Sequence, residues 1–488
     1  MVVQRYLSLD LRLSRKVWTS IEFLKNRIIG QKYTYSPWKN GHKYVFLPWK
    51  SGQKMIKRKI DNKIESFYKN HNKALLLTGA RQTGKTFAIR RFGAENFDST
   101  VEINFVESRN AIGFLDGAVD AKEMILRISA LAKTKMIPGK TLIFFDEVQE
   151  YPEIVTLIKF LVEEGSYRYA LSGSLLGVEL KDLRSEPVGY MDIFDMYPLD
   201  FEEFLWANGI TEQVIAFLRQ CLQNGTPVPE ALHQRMRELL LQYTVVGGMP
   251  DAVQTFVNTK RMDEVLQIQR DIVRSYEDDM VKYADRKDKA VIRECFQSIP
   301  KQLSKENKKF QYSVVKKGAT ASRFAGSLQW IEDAGIITRC YNLSITELPL
   351  DGNADQDVFK VYMKDTGLFV SMLEDGTQFD ILQGNLLGYK GAIFEGLVAD
   401  IFSKMGRKLY YFHKDSGLEV DFIIRFHGEC TLVEVKAVSG NTKSSKTILR
   451  HPEKYHVYHL IKLGDYNVGR EEQILTLPLY MAFLLTDV

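Results

Sequence analysis

Eight consecutive residues constrain this chain more than any others: Gly79-Ala80-Arg81-Gln82-Thr83-Gly84-Lys85-Thr86. A short apolar run, Ala74-Leu75-Leu76-Leu77-Thr78, leads into them, and a helical segment from Thr86 to about Phe92 follows. A buried strand that turns through glycines into a helix wraps backbone N–H groups around an anion and puts the helix dipole behind it. In the pattern G-x-x-x-x-G-K-[ST], residues Gly79, Ala80, Arg81, Gln82, Thr83 and Gly84 cradle phosphates. Lys85 adds a point charge at the β- and γ-phosphates, and the Thr86 hydroxyl ligates Mg2+. At ordinary residue usage, a chance match in a chain this long has a probability of roughly one or two in a hundred, so a nucleotide site is the expectation.

The surrounding pattern agrees. Met55 to Lys69 has Ile56, Ile60, Ile64 and Phe67 at helical spacing. Strands are expected at Val101–Phe105, Leu142–Phe145 and Tyr169–Ser172, with a helix at Val155–Glu164. Strands alternating with helices predict a parallel sheet covered on both faces. The run Leu142-Ile143-Phe144-Phe145-Asp146-Glu147 ends in two acids. Asp146, at the strand tip beside the loop, is placed to hold Mg2+, and Glu147 to polarise the attacking water as general base. In Leu171-Ser172-Gly173-Ser174 a hydroxyl, with Ser174 as the candidate, stands where it can sense the γ-phosphate.

The stretches LLLTGARQTGKT, LIFFDEVQE, ALSGSLLG, YPLDFEEFL and YTVVGGMPDAV resemble a family of bacterial and archaeal AAA+ ATPases from Met55 to about Leu205 and into the lid. The resemblance implies ATP and Mg2+ as cofactors and ATP hydrolysis as the activity. Relatives carry an arginine after a glycine, just before the strand leading to the PLSFEEF-like motif. Here Tyr190 follows Gly189, which puts efficient hydrolysis in question and offers Arg184 as a substitute.

Beyond the core, residues 201–287 read as helical, with breaks at Asn224-Gly225-Thr226-Pro227 and at Gly247-Gly248-Met249-Pro250, the latter read as a turn between lid helices. A helix ending at Gly335, followed by Ile336-Ile337-Thr338, looks like a winged helix-turn-helix. Lys301, Lys305, Lys308, Lys309, Lys316, Lys317 and Arg323 give it a basic face around Glu306, suited either to a phosphate backbone or to solvent. Leu348–Asp357 is expected to be a loop. From about Gly388 a further α/β unit begins, with a helix at Ile393–Lys404 and strands at Lys408–Phe412, Glu419–Phe426 and Thr431–Lys436. His451, His456 and His459 lie close in sequence, where a surface or core role outweighs a metal site.

In a strand, residues i and i+2 share a face, so Glu434 and Lys436 project together and Asp421 on the neighbouring strand can join them. Two carboxylates suit Mg2+, an ammonium can polarise a water, and Glu395 on the preceding helix completes the set. The spacing D-x(12)-E-x-K looks like the active-site pattern of PD-(D/E)xK nucleases. The stretches GAIFEGLVADIF, YYFHKDSGLEVDFII, TLVEVKA and LTLPLYMAFLL resemble the C-terminal domain of uncharacterised function that accompanies this ATPase type, related to the restriction-endonuclease-like fold.

Length and composition set the frame. With 488 residues, and roughly 100–200 per domain, two to four domains are expected. The net charge of +5 is unevenly placed: residues 1–54 hold eleven Lys and Arg against Asp10 and Glu22, a net +9, which leaves −4 for the remainder. Nucleic-acid contact would therefore need a local patch, in the winged helix or the C-terminal domain. Cys221, Cys295, Cys340 and Cys430 are scattered, so a reducing, cytoplasmic setting is expected. Apolar runs stay below about 18 residues, so no membrane partner is expected.

The expected fold class is a multidomain α/β protein. Residues 1–54 form a basic extension upstream of Met55, itself able to serve as a start. Residues 55–205 form the AAA+ P-loop core, 206–287 a helical lid and 288–350 a winged-helix-like module. Residues 351–387 form a linker and connecting strands to a restriction-endonuclease-like domain over 388–488. Three functions stand open: an ATPase that drives or switches a C-terminal domain binding protein partners, an ATP-regulated Mg2+-dependent nuclease, and a nucleotide-dependent scaffold without efficient hydrolysis.

Overall fold

The computed structural model describes residues 55–174, 189–283, 288–303, 309–385, 390–436 and 443–486. The expectations for residues 1–54, Arg184, Lys305, Glu306 and Lys308 lie outside them. From Ile56 onward the described residues form one compact unit.

Helix α1 (Lys59–Asn70) precedes β1 (Ala74–Thr78). Then come α2 (Lys85–Asn96), β2 (Ser99–Asn104), α3 (Arg109–Leu115), α4 (Ala121–Leu131), β3 (Thr141–Asp146), α5 (Glu153–Glu164), β4 (Arg168–Ser172) and β5 (Met191–Asp195). The five strands pair in parallel in the order β2-β3-β4-β1-β5. Their near-continuous apolar sequences follow from burial on both faces. Leu75, Leu77, Leu142 and Phe144 pack with Ile60, Ile64 and Phe67 of α1 and Ile89 of α2. The alternate residues Ala74, Leu76, Ile143 and Phe145 pack with Met124 and Ile128 of α4 and Ile154 and Ile158 of α5. Parallel pairing gathers the C-terminal ends of all five strands, with Asn104, Asp146, Ser172, Asp195 and the turn after Thr78, on one edge, where ligands of open α/β sheets bind.

A helical layer follows: α6 (Phe201–Ala207), α7 (Glu212–Asn224), α8 (Glu230–Val246), α9 (Pro250–Thr259) and α10 (Met262–Tyr283). The α8–α9 turn does more than reverse the chain. The Leu199 N–H donates to the Gly248 carbonyl at 2.7 Å, and any side chain at Gly248 would collide with the Leu199 backbone. The Gly248 N–H donates to Asp365 Oδ2 at 2.7 Å. Beside it Lys404, fully buried, pairs with Asp400 at 2.9 Å and Asp365 at 3.5 Å, and donates to the Tyr243 hydroxyl at 2.9 Å and the Leu199 carbonyl at 3.2 Å. Burial pushes Asp400 up to about 7 even beside that ammonium. The exit from the core, the lid and the C-terminal region thus meet at one buried ionic cluster.

Next are α11 (Lys289–Leu303), the single turn α12 (Tyr312–Val315), α13 (Ala321–Asp333), β6 (Ile337–Leu343), β7 (Ala354–Met363), α14 (Thr366–Ser371) and α15 (Thr377–Gln383). The chain ends with α16 (Lys390–Lys404), β8 (Leu409–His413), β9 (Glu419–Phe426), β10 (Glu429–Lys436), α17 (Lys443–Leu449), α18 (Pro452–Tyr455), β11 (His459–Gly464), β12 (Gly469–Glu471) and β13 (Ile474–Pro478). The sheet order is β12-β13-β11-β10-β9-β8-β6-β7, with β6 parallel to β8. This mixed sheet runs across the expected boundary at 387/388: the strand after Gly335, β6, and β7 from the expected linker pair into the same sheet as the C-terminal strands. The expected loop at Leu348–Asp357 contains the start of β7 from Ala354 on. As the sheet's last strand, β7 leaves Asp355, Gln356 and Asp357 exposed, so its N-terminal half reads as polar coil.

Candidate nucleotide and carboxylate sites

The loop geometry explains its sequence. Gly79 has φ 130° and Gly84, at the start of α2, has φ 96°. Both lie where a side chain is strained, and at Gly79 a Cβ would also strike the Met196 carbonyl. The Thr83 hydroxyl, fully buried, donates to the Ala80 carbonyl at 3.0 Å, and Arg58 donates to the carbonyls of Thr83 at 3.1 Å and Tyr197 at 2.8 Å. Lys85 Nζ donates to the carbonyls of Gly79 at 2.9 Å and Ala80 at 2.7 Å. Burial pulls its pKa down to about 8, against the opposing charges of Glu147 and Asp146.

The Thr86 hydroxyl lies 3.1 Å from both carboxylate oxygens of Asp146. Asp146 is buried, accepts from Asn104 Nδ2 at 2.9 Å, and is also bonded by the Ser172 hydroxyl. Burial raises its pKa, and the Ser172 and Thr86 hydroxyls work the other way. These hard oxygen donors fit Mg2+. Among the described residues no cluster of three or more His, Cys, Asp or Glu forms a metal cage. Glu147 takes a left-handed φ of 57°, and its carboxylate accepts from Gln149 Nε2 at 2.5 Å. Of the carboxylates that act on Lys85 it is the foremost.

Ser174 is buried and accepts from Arg81 Nε at 3.3 Å, whereas Ser172 is the hydroxyl on Asp146. Sequence reasoning passed over Asn104 and Ser172 as ligands of Asp146. The signal available was that each ends a strand adjacent to β3, and register sets Asn104 opposite Asp146.

Two further elements close over the loop. From α10, Asp279 pairs with Arg81 at 2.6 Å, the Tyr276 hydroxyl donates to the Arg81 carbonyl at 3.1 Å, and Ser275 Oγ accepts from Gln82 Nε2 at 3.2 Å. From the α13–β6 turn, Gly335 (φ 76°) sits so close that a Cβ would be 3.1 Å from the Ala80 nitrogen. Between these elements a cavity of about 10 Å³, lined by Arg81, Tyr276, Asp279, Trp330, Ala334 and Ile336, has room for about one water.

Tyr190 lies elsewhere. Its carbonyl accepts from the Ala74 N–H at 2.9 Å and its hydroxyl donates to Glu163 at 2.6 Å. Ala74 begins β1 and the phosphate loop follows its other end, so position 190 stands at the opposite edge of the sheet. An arginine there would not reach this chain's own phosphate loop.

The C-terminal residues do come together. The β9–β10 turn is two residues, His427 (φ 50°) and Gly428 (φ 82°), and it sets Phe426 opposite Glu429. Asp421 Oδ2 accepts from the Val435 N–H at 2.8 Å. Lys436 Nζ is 2.5 Å from Glu434 Oε2, and the Ser445 hydroxyl bonds the other oxygen. Burial would lower the pKa of Lys436, but Glu434 and Asp421 hold it up. Glu395 of α16 is bonded instead by Lys360 Nζ at 3.0 Å and by the Tyr362 hydroxyl. Lys360 comes from β7, is buried, and also meets Glu419 at 3.2 Å. Its place in the half-polar β7 segment hid it from sequence reasoning. Lys436 against Glu434 and Lys360 against Glu395 put ammonium groups among these carboxylates, and among the described residues no cluster of three or more metal-ligating side chains forms, so the residues do not fit a divalent cation.

Residues 71–205 match a family described as AAA domain. Residues 237–378 and 390–481 match two families described as domains of unknown function, DUF8612 and DUF4143. No curated protein matches the chain. Among solved structures, a Walker-type ATPase of Pyrococcus abyssi is 14% identical, with 65% of this chain and 96% of that one covered and a TM-score of 0.40. The Orc1 protein of Aeropyrum pernix, solved in complex with DNA, is 14% identical over 64% and 86% of the two chains, with a TM-score of 0.27. RuvB of Thermotoga maritima is 13% identical over 57% and 88%, with a TM-score of 0.28. The AAA-domain match, falling on the loop and parallel sheet, supports an ATP-binding P-loop ATPase domain of AAA type. Among the described residues no helix is long and apolar enough to cross a membrane.

Proposed function

We propose that the chain binds and hydrolyses ATP at residues 79–86 and that nucleotide occupancy switches the eight-stranded C-terminal region. One observation carries the second half of this reading: the α13–β6 turn rests on Ala80 of the phosphate loop, and β6 is itself a strand of that sheet. Lys85 holds the β- and γ-phosphates, and Thr86 and Asp146 hold Mg2+. The ion, when bound, neutralises charge on the phosphate oxygens. Asn104 and Ser172 keep the Asp146 carboxylate oriented, and Glu147 accepts the proton of the attacking water. Ser174, tied to Arg81, reports phosphate contact to Asp279 on α10.

Hydrogen exchange tests the coupling. Saturating MgATP should change protection at residues 334–343 and 409–413 in the intact chain. Gly335→Val, which wedges this contact, should lose that distant response even at MgATP concentrations that saturate the variant. Changes confined to residues 78–105 and 141–150 would leave an ATPase without the switch.

The depressed pKa of Lys85 gives a second test. Below about 8 the residue is an ammonium and attracts phosphate; above it the charge is lost. ATP affinity should therefore fall about tenfold between pH 7 and pH 9.5, a window in which an ordinary lysine stays charged. A Lys85→Ala chain should lack that dependence. Equilibrium binding of a fluorescent ATP analogue across this range is the measurement.

A further inference from the structure

We propose that the ammonium of Lys360 takes up Glu395, the helix carboxylate expected to complete a divalent-cation site, making the cluster a metal-independent tie rather than a phosphodiesterase centre. Lys360 crosses from the edge strand β7 to Glu395 on α16 at 3.0 Å and to Glu419 on β9 at 3.2 Å. Its side chain is 2% exposed. Three carboxylates, Glu395, Asp421 and Glu419, act on it and outweigh the burial that would otherwise lower its pKa, so the group stays charged. An ammonium carries three donors and accepts nothing. It therefore satisfies converging carboxylates as a small cation does, but it is tethered and is no Lewis acid, so it does not take a metal's part in generating hydroxide from a bound water.

Lys436 on β10, beside β9, is a second ammonium held by a carboxylate, paired with Glu434 two residues away on its own strand at 2.5 Å. A divalent ion entering here would have to strip buried Glu395 from Lys360, leaving a buried ammonium with only the half-exposed Glu419 as counter-charge. The tie joins three pieces of chain, β7, α16 and β9, that lie far apart in sequence.

The test uses the full chain carrying Lys85→Ala and Asp146→Asn, without nucleotide, so that metal at the phosphate loop does not contribute and failure of the ATPase reading stays separate. With the cluster intact, Mn2+ up to about millimolar should show no bound ion by electron paramagnetic resonance and should leave Tm unchanged. Single- and double-stranded DNA and RNA should remain uncut with Mg2+ or Mn2+. Adding Lys360→Met should create one Mn2+ site per chain and a Mn2+-dependent rise in Tm, both lost on adding Glu395→Gln. Lys360→Ser, which leaves room for a hydrated ion, gives the same readout if the methionine variant does not fold. The proposal is overturned by Asp421-dependent Mn2+ binding or strand cleavage with Lys360 in place. A folded position-360 variant that binds no Mn2+ overturns it equally.

Discussion

Replacing Lys85 with alanine should reduce ATP turnover by at least about 10²–10³-fold, the range for losing one preorganised donor at a developing charge, and should weaken ATP binding about tenfold or more. The lysine is buried and its Nζ already bridges two loop carbonyls, so the side chain braces the cradle as well as charging it. Lys85→Arg should not restore activity, because a planar guanidinium does not fit a slot shaped for a compact ammonium. Glu147→Gln should separate the two functions: binding survives, while phosphate release falls by about 10²–10⁴-fold with the proton acceptor gone. Phosphate release and equilibrium nucleotide binding, measured on the same preparations, distinguish these outcomes. An affinity unaffected by Lys85→Ala would rule out the site assignment.

The largest effect on stability is expected at Lys404. Lys404→Met leaves Asp365 and Asp400 buried without their cation and should cost about 3–5 kcal/mol. The loss has a pH signature. Burial holds the Asp400 pKa, about 7, above that of an unfolded aspartate. Without Lys404 it rises further, so the folded variant keeps a proton that the unfolded chain releases above about pH 4. Stability of the variant should therefore drop, relative to the parent, as pH rises from 5.5 to 8, and adding Asp400→Leu should recover part of the deficit. Denaturant midpoints at the two pH values provide the check. A deficit independent of pH would mean that the cluster acts through packing alone.

What the sequence disclosed was local. A glycine loop between a strand and a helix, and an acid at the tip of an apolar strand, are patterns within a few residues of each other. So Lys85, Thr86 and Asp146 were legible, and so was the parallel sheet. The short helices over Arg109–Leu115 and Ala121–Leu131 were not read. The larger omissions are all long-range. Asn104 and Asp146 are 42 residues apart and meet only because β2 and β3 pair in register. Arg81 and Asp279 are separated by 198 residues. Gly247-Gly248 read as ordinary turn chemistry, yet the close approach of Leu199 and Asp365 is what excludes side chains there. Strand periodicity groups Asp421, Glu434 and Lys436, and in the structure Lys436 pairs with Glu434 while Asp421 accepts from the Val435 N–H. Periodicity could not reveal that Lys360, on another strand, answers Glu395 before any metal does.

The sheet shared by residues 237–378 and 390–481 also has an evolutionary consequence. The first segment supplies β6 and β7 and the second supplies the other six strands, with β6 lying directly on β8. A gene that lost either segment would leave the other with a raw, unpaired strand edge prone to sticking to its neighbours. Selection should therefore favour keeping the two segments together. Where recombination exchanges parts among such proteins, viable crossovers should fall before α8 or after β13 rather than at the linker between the two segments.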